Sequence, residues 1–129
     1  MNILDHISLG VPSIEAARGF YDPAMASLGL SCLAANDAFA AYGNDAVQFL
    51  LMIPADGADF TRGNGTHIAF RASTSEAVDG FHSAALAAGG ICNGEPGPRP
   101  DYPANDVYAG FVIDPFGHKL EAIHSGFAA

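Results

Sequence analysis

The chain has 129 residues, half of them apolar, and a formal net charge of −9 at pH 7. This length fits one compact domain with a sizeable core, and the five fixed cations leave little positive charge for a nucleic acid backbone or an anionic membrane surface. The apolar runs are too short to cross a bilayer and the N-terminus lacks a secretory signal pattern. We therefore expect a soluble cytoplasmic protein that binds neither nucleic acids nor membranes.

The first half of the chain is predicted to run strand, helix and three strands. The segment LDHISLGV, residues 4–11, predicts the first strand. Ser13 can cap the helix that follows, and Asp22-Pro23 predicts a break in that helix, because proline lacks a backbone donor and favours the first position of a new helix. Three strands are then expected, at about 30–34, 39–42 and 47–53.

The second half repeats the first at an offset of 61 residues. Nine of the 26 positions from Asp5 to Leu30 are identical to the residue 61 places further on, including His6 and His67, which exceeds coincidence and indicates a duplication. A second helix is expected at about 75–88, with Thr74 as its hydroxyl cap in the place of Ser13, and the segment IDPFGHKLE predicts a hairpin. The remaining strands are expected at about 91–92, 107–113 and 119–124.

The pattern predicts an α+β fold with two mixed sheets. We divide the chain into a first module at 1–56, a linker at 57–64 and a second module at 65–129, all within one domain. Cys32 and Cys92 begin comparable strands, and we interpret both as buried reduced thiols in preference to a disulfide or a metal role.

His6, His67, the helix end FYDPAMASLGL and the terminal DPFGHKLEA resemble the vicinal oxygen chelate family. This family includes glyoxalases, extradiol dioxygenases, fosfomycin-resistance transferases and bleomycin-binding proteins. The resemblance implies two tandem βαβββ modules that form a cup-shaped mixed sheet with the helices on its outer face. It also implies metal ligands at His6, His67 and Glu121, and frequent homodimers.

The fourth ligand of some family members does not match. Superposing GNDAVQFL on FGHKLEA places Phe49 opposite Glu121, with Gln48 one residue away and expected on the other face of its strand. Two imidazoles and one carboxylate can hold Fe, Mn, Zn or Ni and leave positions open for substrate. The alternative is that both histidines are ordinary strand residues left by duplication.

The polar segment from Asn93 to Asp106 is expected to be a loop over the mouth of the cup. We predict that Arg99 meets an anionic group of the substrate, that Tyr102 or Tyr108 donates a hydrogen bond, and that Phe49 gives the pocket an apolar wall. A solvated, proline-stiffened connection is the alternative for this loop. We interpret His118 as a turn residue and His82 as a partly buried helix residue.

The leading hypothesis is an enzyme resembling glyoxalases and dioxygenases, in which a divalent cation polarises a small oxygen-bearing substrate. Its reaction would be that of a lyase, a dioxygenase or a thiol transferase, and Glu121 would both bind the ion and move a proton. The alternative is a metal-free protein of the bleomycin-resistance type that binds a drug or metabolite.

Overall fold

The secondary structure repeats one pattern twice. The structure is a computed structural model and describes residues 3–128. The first module contains β1 (Ile7–Gly10), α1 (Ile14–Ala26), β2 (Ser31–Ala35), β3 (Phe39–Gly43) and β4 (Val47–Met52). The second contains β5 (His67–Arg71), α2 (Ser75–Ala87), β6 (Ile91–Pro98), β7 (Tyr108–Ile113) and β8 (Lys119–His124).

Each module forms its own four-stranded mixed sheet. The order is β1-β4-β3-β2 in the first sheet and β5-β8-β7-β6 in the second. The β1–β4 and β5–β8 pairs are parallel, because each helix carries the chain back across its sheet, and the other pairs are antiparallel. The predicted α+β class with two mixed sheets is confirmed.

Both helices begin at the predicted hydroxyl caps. The Ser13 Oγ accepts a hydrogen bond from the Ala16 N–H at 3.2 Å, and the Thr74 Oγ1 accepts one from the Ala77 N–H at 3.0 Å. These bonds satisfy amides that have no partner inside the helix. No helix within residues 3–128 is long and apolar enough to cross a membrane.

The predicted break in α1 is wrong, because the helix runs through Pro23 without interruption. The buried face continues on both sides of the proline, with Tyr21 and Met25 fully covered. Asp22 is held at this point by the Tyr42 hydroxyl, which donates to its carboxylate at 2.6 Å. Packing of the helix against its sheet therefore outweighs the loss of one backbone hydrogen bond.

The predicted loop after Cys92 is also partly wrong, because β6 extends to Pro98. Its pairing with β7 shifts register between Cys92 and Gly94 and again between Gly94 and Gly97. These irregularities accommodate a Pro/Gly-rich sequence, and Pro96 is tolerated because β6 is the edge strand of its sheet.

One hydrophobic core joins the two modules. The rings of Phe49 and Phe70, from different sheets, meet edge to face with centroids 5.1 Å apart, and α1 packs against α2. Burying an aromatic side chain of this size contributes roughly 1.5–3 kcal/mol. The Nε2–H of His118 also donates to the Gly10 carbonyl at 2.7 Å and links the second module to the end of β1.

Candidate functional site

The register of β5 and β8 places a histidine and a glutamate side by side. Ile68 and Leu120 point to the α2 side and are buried, so the alternate residues His67, Lys119 and Glu121 point to the opposite side of the sheet. We call this side of the second sheet the open face and define it by His67, Phe111, Lys119 and Glu121. The His67 Nε2 lies 3.2 Å from the Glu121 Oε1.

Glu121 is a buried carboxylate with an incomplete set of partners. Its side chain is only 5% exposed, against 45% for His67. No hydrogen-bond partner of its Oε2 atom is found among the described residues. Burial raises the pKa of Glu121, and the nearby charges of His67, Arg99 and Lys119 oppose that rise. The carboxylate is therefore a stronger base than a solvated one and has a lone oxygen free to bind.

Two cations flank an aromatic ring on the open face. The Lys119 Nζ lies 5.1 Å and the Arg99 Cζ 5.8 Å from the centre of the Phe111 ring, within cation–π range. The Arg99 guanidinium also donates to the Glu95 carbonyl at 2.8 Å, which fixes its position. The surroundings of Glu121 thus combine an apolar ring with positive charge, an environment suited to an anionic group.

A cleft opens beside His67 at the junction of the two modules. It has a volume of about 640 Å³ and lies between the end of β1, the connection 61–66 and the hairpin before β8. Arg62, His67, His118 and Lys119 are among the polar and charged residues that line it. A small organic molecule could enter next to the His67 imidazole.

His6 does not join His67 and Glu121 within one chain. The His6 side chain is 55% exposed, and its Nδ1 lies 2.5 Å from the Asp5 carboxylate. The ligand atoms of these three residues do not all come within 4.8 Å of one another in the described part of the chain. His6 precedes β1, and both β1 and β5 are edge strands of their sheets.

The register corrects the predicted equivalence of Phe49 and Glu121. Ile7 pairs with Phe49 as Ile68 pairs with Leu120, so Phe49 corresponds to Leu120 and Leu50 corresponds to Glu121. Phe49 lies in the core between helix and sheet and is 2% exposed, so it provides no wall for a pocket on the open face. Gln48 shares a face with Leu50, not with Phe49.

The predicted tyrosines lie away from Glu121. The Tyr108 hydroxyl donates to the Asp79 carboxylate of α2 at 2.6 Å, on the helix side of the sheet. The Tyr102 ring packs against Phe127 with centroids 5.6 Å apart. Of the predicted substrate-binding residues, only Arg99 lies beside the open face.

Sequence reasoning missed Phe111 and gave Lys119 no role. Alternation alone puts Lys119 on the face of Glu121, because it lies two residues before it, whereas Phe111 is found only from its pairing with Glu121 across β7 and β8. That argument required the register of two strands, which the sequence alone did not specify.

The fold defines a class of duplicated βαβββ proteins, and comparison with known proteins agrees. Residues 3–122 match the model of the Glyoxalase/Bleomycin resistance protein/Dioxygenase superfamily, and the chain belongs to this superfamily. No curated protein matches the chain significantly.

Solved structures give the same family. A glyoxalase/bleomycin resistance protein from Albidiferax ferrireducens T118 has 32% sequence identity and a TM-score of 0.87, with 97% of this chain and 100% of that chain covered. A glyoxalase-related enzyme from Fulvimarina pelagi has 21% identity and a TM-score of 0.74 over 96% of this chain and 88% of that one, which shows a shared fold. A glyoxalase/bleomycin resistance protein/dioxygenase family enzyme from Burkholderia phytofirmans PsJN, 18% identical, shares it at a TM-score of 0.71 over 94% of this chain and 97% of that one.

Proposed function

We propose that this chain is a metal-dependent enzyme in which His67 and Glu121 hold a divalent cation, Fe, Mn, Zn or Ni. The observation that carries the proposal is the buried Glu121 carboxylate, which has one oxygen on His67 and a second without a hydrogen-bond partner among the described residues. A buried carboxylate in this state is costly unless a cation or a proton binds it. Imidazole and carboxylate together suit all four metals.

The third ligand is His6 of the partner subunit in a homodimer. The edges of β1 and β5 are unpaired in the described chain, and Ile3, Leu4 and Ile7 expose apolar side chains around His6. Pairing β1 of one subunit with β5 of the other would cover this patch and bring His6 towards His67. A two-fold axis would form two such sites.

The substrate is a small oxygen-bearing molecule with an anionic group. Arg99 and Lys119 bind and orient that group, while Phe111 excludes water from one side of the site. Glu121 would move a proton of the substrate through the carboxylate oxygen that does not hold the cation, because burial makes this carboxylate a stronger base. A bound cation would supply the Lewis acidity that polarises the substrate oxygen.

A metal-free drug- or metabolite-binding protein is the second candidate, and the net charge of −9 favours a cationic ligand for it. The open face opposes that ligand locally, because Arg99 and Lys119 flank Phe111 there. The enzyme is therefore the better supported proposal. Its reaction is that of a lyase, a dioxygenase or a thiol transferase.

Metal content after chelator-free purification tests the proposal. We expect a stoichiometric divalent cation in the wild type and in His124→Ala, whose imidazole contacts the Ala72 carbonyl instead of the open face. We expect loss of that cation in His67→Ala and Glu121→Gln, together with loss of lyase, dioxygenase or thiol transferase turnover. Equal metal content in all four proteins would contradict the proposal.

A further inference from the structure

The helix side of the second sheet carries another group of ligand atoms. His82 of α2 lies close to Cys92 and Glu95 of β6. Within residues 3–128, these three residues form the one group of at least three His, Cys, Asp or Glu residues whose ligand atoms all lie within 4.8 Å of one another. Cys92 pairs with the buried Val112, while Glu121 pairs with Phe111 on the open face. The group therefore lies on the opposite side of the sheet from Glu121.

We propose that His82, Cys92 and Glu95 form a second cation site, selective for a borderline or soft divalent ion of the Zn²⁺ type. The His82 Nε2 lies 3.1 Å from the Cys92 Sγ and 4.0 Å from one Glu95 oxygen, and the Sγ lies 3.4 Å from the other oxygen. Tetrahedral Zn²⁺ with bonds of about 2.0–2.3 Å separates its ligand atoms by roughly 3.3–3.6 Å. The three atoms need only small side-chain shifts to reach that geometry.

A β-bulge brings the two strand ligands to one face. Residues three apart in a regular strand point to opposite sides, so Cys92 and Glu95 would diverge. The register shift between Cys92 and Gly94 inserts one residue and restores the parity. A Cβ on Gly94 would come within 3.1 Å of the Phe111 side chain, so a larger residue there would require the Phe111 ring to shift.

The first module has the same bulge without the ligands. Its register also shifts between Cys32 and Ala34, and Cys32 takes the place of Cys92. Glu95 is replaced by Ala35, and Tyr21 corresponds to His82 in the sequence repeat. The bulge is thus a property of the fold, whereas the set of imidazole, thiol and carboxylate is particular to the second module.

Burial and charge favour a cation here. The His82 side chain is 7% exposed and Glu95 is 79% exposed, so the site combines a fixed imidazole with an accessible carboxylate. Zn²⁺ would displace the Cys92 proton to solvent, and the thiolate and carboxylate charges would balance the charge of the ion. The exposed side leaves the fourth position to water and provides a path of entry.

Titration with Co²⁺, a spectroscopic substitute for Zn²⁺, tests this site. A thiolate ligand gives a near-ultraviolet charge-transfer band that His67 and Glu121 cannot produce, so the result is independent of the proposed enzyme site. We expect the band in the wild type and in Cys32→Ser, the matched control from the first module. We expect its loss in Cys92→Ser and, by titration of the same band, at least about tenfold weaker Co²⁺ binding in Glu95→Gln.

Glu95→Gln keeps the test decisive because this exposed change should not disturb folding, which circular dichroism can verify. The absence of a sulfur band in the wild type would overturn the proposal and leave a hydrogen-bonded Cys–His pair. A band that persists in Cys92→Ser would also overturn it, as would a Co²⁺ affinity, measured from that band, that Glu95→Gln does not change.

Discussion

Leu50 occupies in the first module the position that Glu121 occupies in the second. Ile7 of β1 pairs with Phe49, the residue before Leu50, and the equivalent Ile68 of β5 pairs with Leu120, the residue before Glu121. The proposed metal site therefore has a leucine where its symmetry-related position has a ligand. Leu50 is partly exposed and lies on the face opposite the Phe49 core, so a longer polar side chain has room there.

Leu50→Glu should strengthen binding of a divalent cation at the proposed dimer site by at least about tenfold, because it adds a fourth ligand to two histidines and one carboxylate. Calorimetric titration with Mn²⁺ or Ni²⁺ measures the effect. Gln48→Glu is the matched control, because it adds the same charge on the same face two residues away. Equal gains in cation affinity in both variants would mean that the added negative charge, and not a fourth ligand, causes the effect, and would contradict the prediction.

Mixing two inactive variants should restore metal binding if His6 acts across the dimer. In a random mixture of His6→Ala and Glu121→Gln, half of the dimers contain both chains and each of those has one intact site of two. About a quarter of the sites should therefore return. Metal per chain after co-refolding measures this, and each variant refolded alone is the control. No recovery in a mixture shown to contain heterodimers would place His6 outside the site.

Glu121→Gln should remove a pH dependence of stability in chelator-treated protein. Burial raises the pKa of Glu121 above its ordinary value of 4.5, so the folded chain holds more protons than the unfolded chain between 4.5 and the raised pKa. The free energy of unfolding thus falls as pH rises through that interval. Urea titrations from pH 4 to 8 should show a shallower fall in the variant and, at pH 7, a gain on the order of 1 kcal/mol. A steeper fall in the variant would be the opposite of this expectation.

Tyr21→Phe should destabilise the fold by about 1–3 kcal/mol. The Tyr21 hydroxyl is fully buried and donates to Asp114, whose other oxygen accepts the N–H groups of Phe116 and His118, both at 2.8 Å. Removing the donor leaves a buried carboxylate oxygen without that partner. The midpoint of urea unfolding measures the loss.

Tyr102→Phe is the control for this change. The Tyr102 ring packs on Phe127 and makes no side-chain hydrogen bond within residues 3–128, so its loss should stay within about 0.5 kcal/mol. Equal losses in both variants would argue against a special role for the Tyr21–Asp114 bond.

The sequence was sufficient for the fold because two independent signals agreed. The repeat at 61 residues predicted two similar halves, and periodicity within each half predicted one helix and the strands around it. Capping by Ser13 and Thr74 also followed from residue type alone. The helices, strands and caps depend on local sequence, so they could be predicted without knowing how the helices and sheets pack against one another.

The sequence-based predictions were wrong where tertiary contacts determine the local structure. Pro23 stays helical because the buried face on either side of it packs on a sheet. Superposing two turns placed Phe49 one residue away from its true equivalent, and in a strand a shift of one residue moves a side chain to the other face. The bulge in β6 that aligns Cys92 with Glu95 was hidden for the same reason.

The residues of the candidate site differ in the same way in how far the sequence could predict their positions. His67 and Glu121 lie on neighbouring strands of one module, so their proximity follows from the order of strands within it. The place of His6 depends on how modules, or subunits, pack against one another. No local pattern encodes that arrangement.

The same bulge occurs in β2 and in β6, but a group of metal-ligand side chains is found beside it only in the second module of the described chain. An internal duplication accounts for the same register shift in both halves, whereas only the second half has an imidazole, a thiol and a carboxylate beside it. The second module therefore has ligand-type side chains on both faces of its sheet, His67 and Glu121 on one and His82, Cys92 and Glu95 on the other, whereas the first module shares the backbone arrangement.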